Sequence, residues 1–307
     1  MSIAQTDTYA RPETRVSFRR GSGAVRFRAR HGDTIPMEQL AGLAPSIFAD
    51  QRHESRSEKY TYIDTRAVLV ALMREGFQPV AVHQGGSRIA GKAEFTKHTV
   101  NFRHRREMER AGPRHVGQVF TEVSLLNSHD GTSAYTLAMD LWRLACLNGM
   151  CVSDGTLERI KVPHKGDVSD QIIEGAFRVI DRAPDIMTGV ESMAQLVLTP
   201  PERLAFATAA RELRWTADEA PIEATTLLQP LRNADVGRDL WRTFNVAQEH
   251  LLRGGDAYQR ATEDSTGRRV VQNRRVGEVR SVEQAGSLNR ALWTLAAEMQ
   301  KLKEGGQ

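Results

Sequence analysis

The chain has 307 residues, of which 40% are hydrophobic and 26% are charged, the balance of an ordinary globular protein. A chain of this length can bury one large core or two smaller ones. No stretch approaches the roughly 18 consecutive apolar residues of a membrane span, and residues 1–15 lack the apolar segment of a secretory signal. We therefore expect a cytoplasmic protein without membrane association. The two cysteines, Cys146 and Cys151, are too few for a disulfide framework or a paired zinc motif, so we expect no metal and no cofactor.

The net charge of +4 conceals three strongly basic stretches. Residues 11–31 hold seven arginines and one glutamate, and residues 268–280 hold five arginines and one glutamate. Residues 88–115 hold six arginines, two lysines and three histidines against three glutamates. In contrast, residues 181–264 carry fourteen acidic and nine basic residues. Cations placed among aromatic and β-branched residues are typical of a surface that contacts a polyanion, most often nucleic acid.

The first half of the chain is predicted to be rich in β-strands. Residues 1–35 form a basic N-terminal arm, and residues 36–165 form a β-rich module. In chain order, the first predicted elements are a hairpin around Gly21–Gly23 and a short helix or turn over 38–48. A helix follows that is capped by Asp64 or Thr65 and ends at Gly76. Four strands are predicted after it, over 77–83, 87–95, 98–105 and 116–126. Residues 133–147 alternate like a strand but also fit a helix, and the preceding Asp130-Gly131 turn favours the strand.

The second half, residues 166–307, is predicted to be a mostly helical module. The predicted helices cover 169–181, a segment that opens with a capping box at Thr199–Glu202, 235–253 and 287–303. They are interrupted by a basic loop near 260–280, with either little regular structure or a short hairpin over 268–280. The fold class is therefore α+β, with an antiparallel β-rich N-terminal module and a mostly helical C-terminal module.

Four short motifs together resemble a known family. They are Asn127–Thr132 (NSHDGT), Arg143–Gly149 (RLACLNG), Leu240–Glu249 (LWRTFNVAQE) and Leu288–Trp293 (LNRALW). Over roughly residues 40–300 the chain resembles the domain of unknown function 932 family of phage/plasmid-like proteins. The resemblance implies a mobile-element origin and a cytosolic setting, and it implies no catalytic residue. Phage single-strand annealing proteins also combine a β-sheet with helices and a basic DNA groove, which is an analogy of architecture.

The basic segments are the leading candidate site. In the strand predicted over 98–105, alternation places Arg103 and Arg105 on one face and Phe102 on the other, so Phe102 is predicted to lie in the core. The alternative interpretation is a solvated edge strand whose charges prevent pairing. The predicted DNA contacts are Arg26, Arg28, Arg88, Lys92, Lys97, Arg103, Arg105, Arg106, Arg268, Arg269, Arg274 and Arg275.

A second candidate is the turn Asn127-Ser128-His129-Asp130. Its residue types suit plain turn chemistry, in which side chains bind backbone groups and Gly131 takes a positive φ. Contact with a nucleic-acid backbone or a subunit, and acid–base or metal chemistry by His129 and Asp130, are alternatives.

These observations predict a DNA-binding protein without strong sequence preference, which favours single strands and acts in recombination as a homo-oligomer. No nucleophile elbow, Walker loop or zinc-protease motif is present, so the sequence favours a protein without catalytic activity. The alternatives are a metal-dependent nucleic-acid hydrolase and an interaction protein that counters host defence.

Overall fold

The fold is α+β, as predicted. A computed structural model describes residues 17–18, 25–29, 32–51, 53–54, 62–87, 89, 91–110, 119–133, 135–143, 149–151, 160–161, 168–263, 268–279 and 281–305.

Strands dominate the first half of the described chain and helices the second half. The strands are β1 (Ser17–Phe18), β2 (Val25–Arg28), β3 (Phe77–Gln84), β4 (His98–His104), β5 (Val119–Asn127), β6 (Thr136–Arg143), β7 (Gly149–Cys151), β8 (Ile160–Lys161), β9 (Ala257–Glu263) and β10 (Arg269–Arg275). The α-helices are α1 (Met37–Leu43), α2 (Thr65–Arg74), α3 (Arg105–Arg110), α4 (Val168–Asp181), α5 (Ala183–Gln195), α6 (Pro200–Glu212), α7 (Leu240–Arg253) and α8 (Val282–Gly305). The segment 133–147, ambiguous in sequence, contains the strand β6.

The chain divides into two compact units. The first comprises Met1–Arg110, Val123–Leu137 and Ile160–Ala176. Its sheet is antiparallel, with the strand order β1-β2-β3-β4-β5-β6, and β8 pairs with β6. Ser17 pairs with Arg26 and Phe18 with Val25, antiparallel, as the predicted hairpin requires, and the turn around Gly21–Gly23 lies outside the described residues.

The strand β4 lies in the interior of this sheet, because it pairs with β3 on one side and β5 on the other. It is therefore not the solvated edge strand of the alternative interpretation. Phe102 is completely buried, as its position in the alternation predicts.

The predicted strand over 87–95 is wrong, because Gly91 has a positive φ of 74° and Ala93–Phe95 form a 3₁₀ turn. The hydroxyl oxygen of Thr96 lies 2.7 Å from the carbonyl of Gly85 and 2.8 Å from that of Ala93, so its single proton is shared between these two acceptors and fixes the turn.

The helix α2 packs its apolar side chains, Val68, Leu69 and Leu72, into the core of the first unit. The carboxylate of Asp64 caps it by accepting hydrogen bonds from the amides of Arg66 and Ala67. The helix ends before Gly76, whose φ of 97° reverses the chain into β3. Both boundaries agree with the sequence prediction, because each depends on one residue and its nearest neighbours.

The second unit comprises Ala111–Glu122, Ala138–Arg159 and Phe177–Gln307. At its centre is α7, in which every residue from Thr243 to Leu252 is buried. Trp241 stacks on Phe244 with ring centroids 5.5 Å apart, and Trp293 of α8 meets both rings edge-on. The aromatic face of α7 is thus a packing surface. The capping box predicted at Thr199 and Glu202 is present at the start of α6.

The basic segment near 260–280 forms a regular hairpin. β9 and β10 pair antiparallel over seven residues each, from Ala257 opposite Arg275 to Glu263 opposite Arg269. The predicted loop near 260–280 is therefore wrong, and so are the predicted bounds of the short hairpin over 268–280, because only β10 of the observed hairpin lies in that range. None of the helices described is long and apolar enough to cross a membrane.

Gly254 joins the hairpin to α7, and its backbone conformation leads to a prediction about stability. Its φ of 62° and ψ of −146° suit glycine alone, and a Cβ at this position would lie 2.4 Å from the carbonyl oxygen of Val276. We expect Gly254→Ala to lower the free energy of unfolding by about 2–3 kcal/mol in urea titrations. Gly277→Ala is the control, because its Cβ would meet no atom within 4 Å and its φ is not positive. Equal stability of the two variants would contradict this account of the junction.

Candidate functional site

Eleven of the fourteen strand residues of the hairpin β9–β10 are exposed. All residues of its two strands are described, and none of them is buried. A two-stranded hairpin without a buried face is only marginally stable, and exposed segments carried by a rigid scaffold are common sites of binding. The exposure of this hairpin therefore needs an explanation other than packing.

The charge of the hairpin is strongly positive. Residues 257–275 contain five arginines against Glu263 and Asp264. Arg260, Arg269, Arg274 and Arg275 are all exposed, and no carboxylate of the described residues lies within ion-pair distance of any of them. The guanidinium of Arg274 donates to the side-chain oxygen of Gln272 instead, at 2.7 and 3.2 Å. Among the described residues, no salt bridge thus neutralises Arg260, Arg269, Arg274 or Arg275.

The base of the hairpin is held firmly against α7. His250, in the last turn of α7, lies 2.8 Å from a carboxylate oxygen of Asp256 through Nδ1 and 2.8 Å from the carbonyl of Gln229 through Nε2. The two contacts hold the imidazole ring between Asp256, at the start of the hairpin, and the segment that contains Gln229. Arg214 donates to the carbonyls of Leu251 and Gly277, one on each side of the hairpin. The direction in which the two strands leave the helix is therefore fixed by polar contacts.

In the first unit, the predicted DNA contacts have different surroundings. Arg26 on β2 and Arg105 and Arg106 on α3 are exposed, whereas Arg28 and Lys97 are half-buried. These positions do not belong to the hairpin, and Arg88 lies outside the described residues.

Two of the predicted contacts are poorly placed for a phosphate. Arg103 on β4 is only 3% exposed, because β4 is an interior strand, so its guanidinium faces protein rather than solvent. Lys92 forms an ion pair with Asp130 at 3.5 Å, and the Asp130 side chain is buried. We therefore omit Arg103 and Lys92 from the candidate interface.

The turn Asn127-Ser128-His129-Asp130 is buried throughout. The oxygen of Ser128 accepts from the amide of Ser133 at 2.9 Å, and Asp130 accepts from the amide and hydroxyl of Thr132 at 3.1 and 2.5 Å. Gly131 has a φ of 70°. Although burial acts to raise it, the pKa of Asp130 is held below its ordinary value by the hydrogen bonds from Thr132 and by the charge of Lys92. For Ser128 and Asp130 the geometry is turn chemistry.

Asn127 and His129 have a different environment, in what we call the histidine cluster: Thr65, His98, Asn127 and His129. The hydroxyl of Thr65, the first residue of α2, lies 3.5 Å from Nε2 of His98 and 3.2 Å from Nε2 of His129. Asn127 donates to the same hydroxyl at 3.0 Å. The two imidazole rings have their centroids 5.4 Å apart. The cluster thus joins α2, β4 and the turn after β5 inside the first unit.

A single arrangement of protons satisfies these contacts. The Nδ1 of His98 faces the carbonyl of Thr96 at 3.2 Å and must donate to it, which leaves Nε2 to accept the proton of the Thr65 hydroxyl. The Thr65 oxygen then accepts from Asn127 and from Nε2 of His129. Among the described residues, Nδ1 of His129 and the side-chain oxygen of Asn127 have no hydrogen-bond partner.

Both histidines of the cluster are therefore neutral. Burial, together with the proximity of His129, lowers the pKa of His98 to about 3. Burial also lowers the pKa of His129 to about 4, against the opposing charges of Asp64 and Asp130. An imidazole held neutral and inaccessible is not placed to act on a substrate. Within the described part of the chain, His, Cys, Asp and Glu side chains form no group of three that could hold a metal ion.

The cluster predicts an acid-sensitive fold. Since its two histidines bind protons less tightly in the folded chain than in the unfolded chain, stability is complete above pH 6.5 and falls as the pH drops from about 6.5 towards 4. We expect each histidine to contribute a slope of about 1.4 kcal/mol per pH unit in this window. His129→Gln should lower stability at pH 7.5 and make the slope shallower in urea titrations between pH 7.5 and 4.5. An unchanged slope in the variant would show that the cluster does not cause the loss of stability at acidic pH.

Comparisons with known proteins agree with the resemblance found in the sequence. The family model described as Domain of unknown function (DUF932) matches residues 52–293. The UPF0380 proteins YafZ and YfjQ of Escherichia coli (strain K12) are each 37% identical over 283 residues, which cover 92% of this chain and 97% of each relative. No solved structure matches the chain. The chain belongs to the domain of unknown function 932 family, represented in Escherichia coli by these UPF0380 proteins.

Proposed function

We propose that this protein binds DNA through the exposed basic hairpin β9–β10. The observation that carries the proposal is that Arg260, Arg269, Arg274 and Arg275 are exposed and have no acidic partner in the described part of the chain. Arginines freed of salt bridges contact phosphates and release the counterions that surround DNA, and this release drives binding without a strong sequence requirement.

The rigid base of the hairpin supports the same proposal. A flexible basic tail also attracts DNA, but it loses conformational entropy when it binds. Here the contacts of His250 with Asp256 and of Arg214 with Gly277 fix the hairpin before any partner arrives. Pre-organisation of this kind lowers the entropic cost of association.

The other two functions predicted from the sequence have less support. A hydrolase centred on His129 and Asp130 requires both side chains to reach a substrate, yet their relative exposures are 0% and 4%. An interaction protein that counters host defence would use an exposed charged face, and the hairpin is such a face. We favour DNA because four exposed arginines on one short hairpin match the closely repeated charges of a phosphate backbone. Strand annealing in recombination by a homo-oligomer stays a prediction, to be tested by sizing with and without an oligonucleotide.

The proposal is tested by removing charge from the hairpin. We expect the triple variant Arg260→Gln/Arg269→Gln/Arg274→Gln to bind a labelled DNA roughly tenfold more weakly at about 0.1 M salt in fluorescence anisotropy. The slope of log affinity against log salt should fall by about 2 to 3. None of these three side chains bonds to the backbone at the base of the hairpin, so folding should be unaffected.

The matched control is Arg66→Gln/Arg74→Gln/Arg238→Gln, which removes the same charge from exposed positions outside the three basic stretches. This control variant should retain its DNA affinity within about twofold, because counterions are released only where a side chain neutralises a phosphate. Equal weakening of the two variants would assign the effect to net charge and reject the hairpin as the interface. Absence of DNA binding by the unaltered protein would reject the function.

A further inference from the structure

The two faces of the hairpin differ in exposure and in chemistry. Because side chains alternate along each strand, the register divides them into two sets. We call one set the amide face: Ala257, Gln259, Ala261, Glu263, Arg269, Val271, Asn273 and Arg275. Every residue of the amide face is exposed. On the opposite face, Tyr258, Thr262 and Val270 are half-buried. The amide face is thus open to solvent along its whole length.

The centre of the amide face carries side chains that suit base edges. Gln259 lies directly opposite Asn273 and donates to it at 3.4 Å, which leaves the Oε1 of Gln259 and the Nδ2 of Asn273 without a protein partner among the described residues. An amide acceptor and an amide donor form the pair that recognises the N6 and N7 of adenine in the major groove. The next pair, Val271 opposite Ala261, is aliphatic, and Val271 is 57% exposed. Small aliphatic groups contact the thymine methyl.

The dimensions of the hairpin agree with those of one groove. Two paired strands lie about 4.8 Å apart, and their seven residues extend roughly 23 Å. The major groove of B-form DNA, about 12 Å wide, admits a two-stranded ribbon of this size. The corresponding groove of an RNA duplex is deep and narrow and does not. Single strands are bound on aromatic stacking platforms, whereas the only aromatic residue of the hairpin, Tyr258, is half-buried and on the opposite face.

We propose that the amide face of β9–β10 enters the major groove of double-stranded DNA and contacts base edges through Gln259 and Asn273. This inference rests on the DNA binding proposed above and specifies the partner as a duplex, where the sequence favoured single strands. Arg260 and Arg274, one on each strand of the opposite face, are long enough to pass the strand edges and contact the phosphates of the two groove walls. Their charge positions the ribbon, and the amides add a sequence preference.

The first experiment is a competition measurement with the full chain. A labelled 20-base-pair duplex is bound and then displaced by the unlabelled duplex, by its separate strands or by an RNA duplex of the same sequence. We expect the DNA duplex to compete at least roughly tenfold better than the other two. Equal or better competition by single strands overturns the groove inference and leaves DNA binding intact. Absence of binding to all three overturns both proposals.

The second experiment locates the face. Duplexes recovered from a random pool by the unaltered protein should share an adenine-containing motif. Gln259→Ala/Asn273→Ala should bind that motif roughly tenfold more weakly, and so should the unaltered protein when the adenines are replaced by 7-deazaadenine, which lacks the N7 acceptor. The matched control is Thr262→Val/Val270→Thr, which exchanges two uncharged, directly opposite residues on the other face and should stay within about twofold. An unselective pool, or equal loss in both variants, rejects the amide face as the reading surface.

Discussion

The structure of the second unit depends on one constraint, the burial of every residue of α7 from Thr243 to Leu252. A buried helix needs partners for its polar side chains, because an unpaired buried polar group costs about 1–3 kcal/mol. Most polar groups of α7 have one, although the side-chain oxygens of Asn245 and Gln248 have none among the described residues. Gln248 donates to Asn289 of α8 at 3.0 Å. Glu249 accepts from Arg232 and Arg253, and His250 binds Asp256 at 2.8 Å. The last of these contacts lies where the chain leaves α7 for the hairpin. Satisfying the core thus also fixes the direction of the exposed strands.

Elements defined by local chemistry could be predicted from the sequence, and contacts between distant residues could not. Asp64 caps α2 and Gly76 ends it, and each effect depends on neighbours within four residues. The histidine cluster joins Thr65 to His98 and His129, which are 33 and 64 residues away along the chain. The sequence singled out His129 in its turn but offered no signal that His98 and the start of α2 would meet it. The order of the strands in the sheet brings these residues together, and a single sequence read alone does not reveal that order.

The same limit applies to charge. Arg103 and Lys92 were predicted to contact DNA together with the other cations, because a sequence shows how many charges are present but not which of them are buried or paired in the fold. In the fold, Arg103 is buried in an interior strand and Lys92 forms an ion pair with Asp130. Arg260, which sequence analysis left out of the contact set, is exposed and has no carboxylate of the described residues near it. Free charge on the hairpin is therefore better evidence of a polyanion partner than the total charge of the chain.

An exposed hairpin also has to avoid pairing with other chains, and charged side chains commonly serve that purpose at strand edges. Protection of edges explains the arginines of β9 and β10 equally well if charge is the only observation. It does not explain why the fully exposed face has Gln259 opposite Asn273, or why Val271 beside them is 57% exposed. Amides bind neighbouring backbones as readily as they bind bases, and an exposed valine favours association rather than preventing it. These residues do not protect the hairpin from pairing with other chains, whereas they suit a surface that a partner covers.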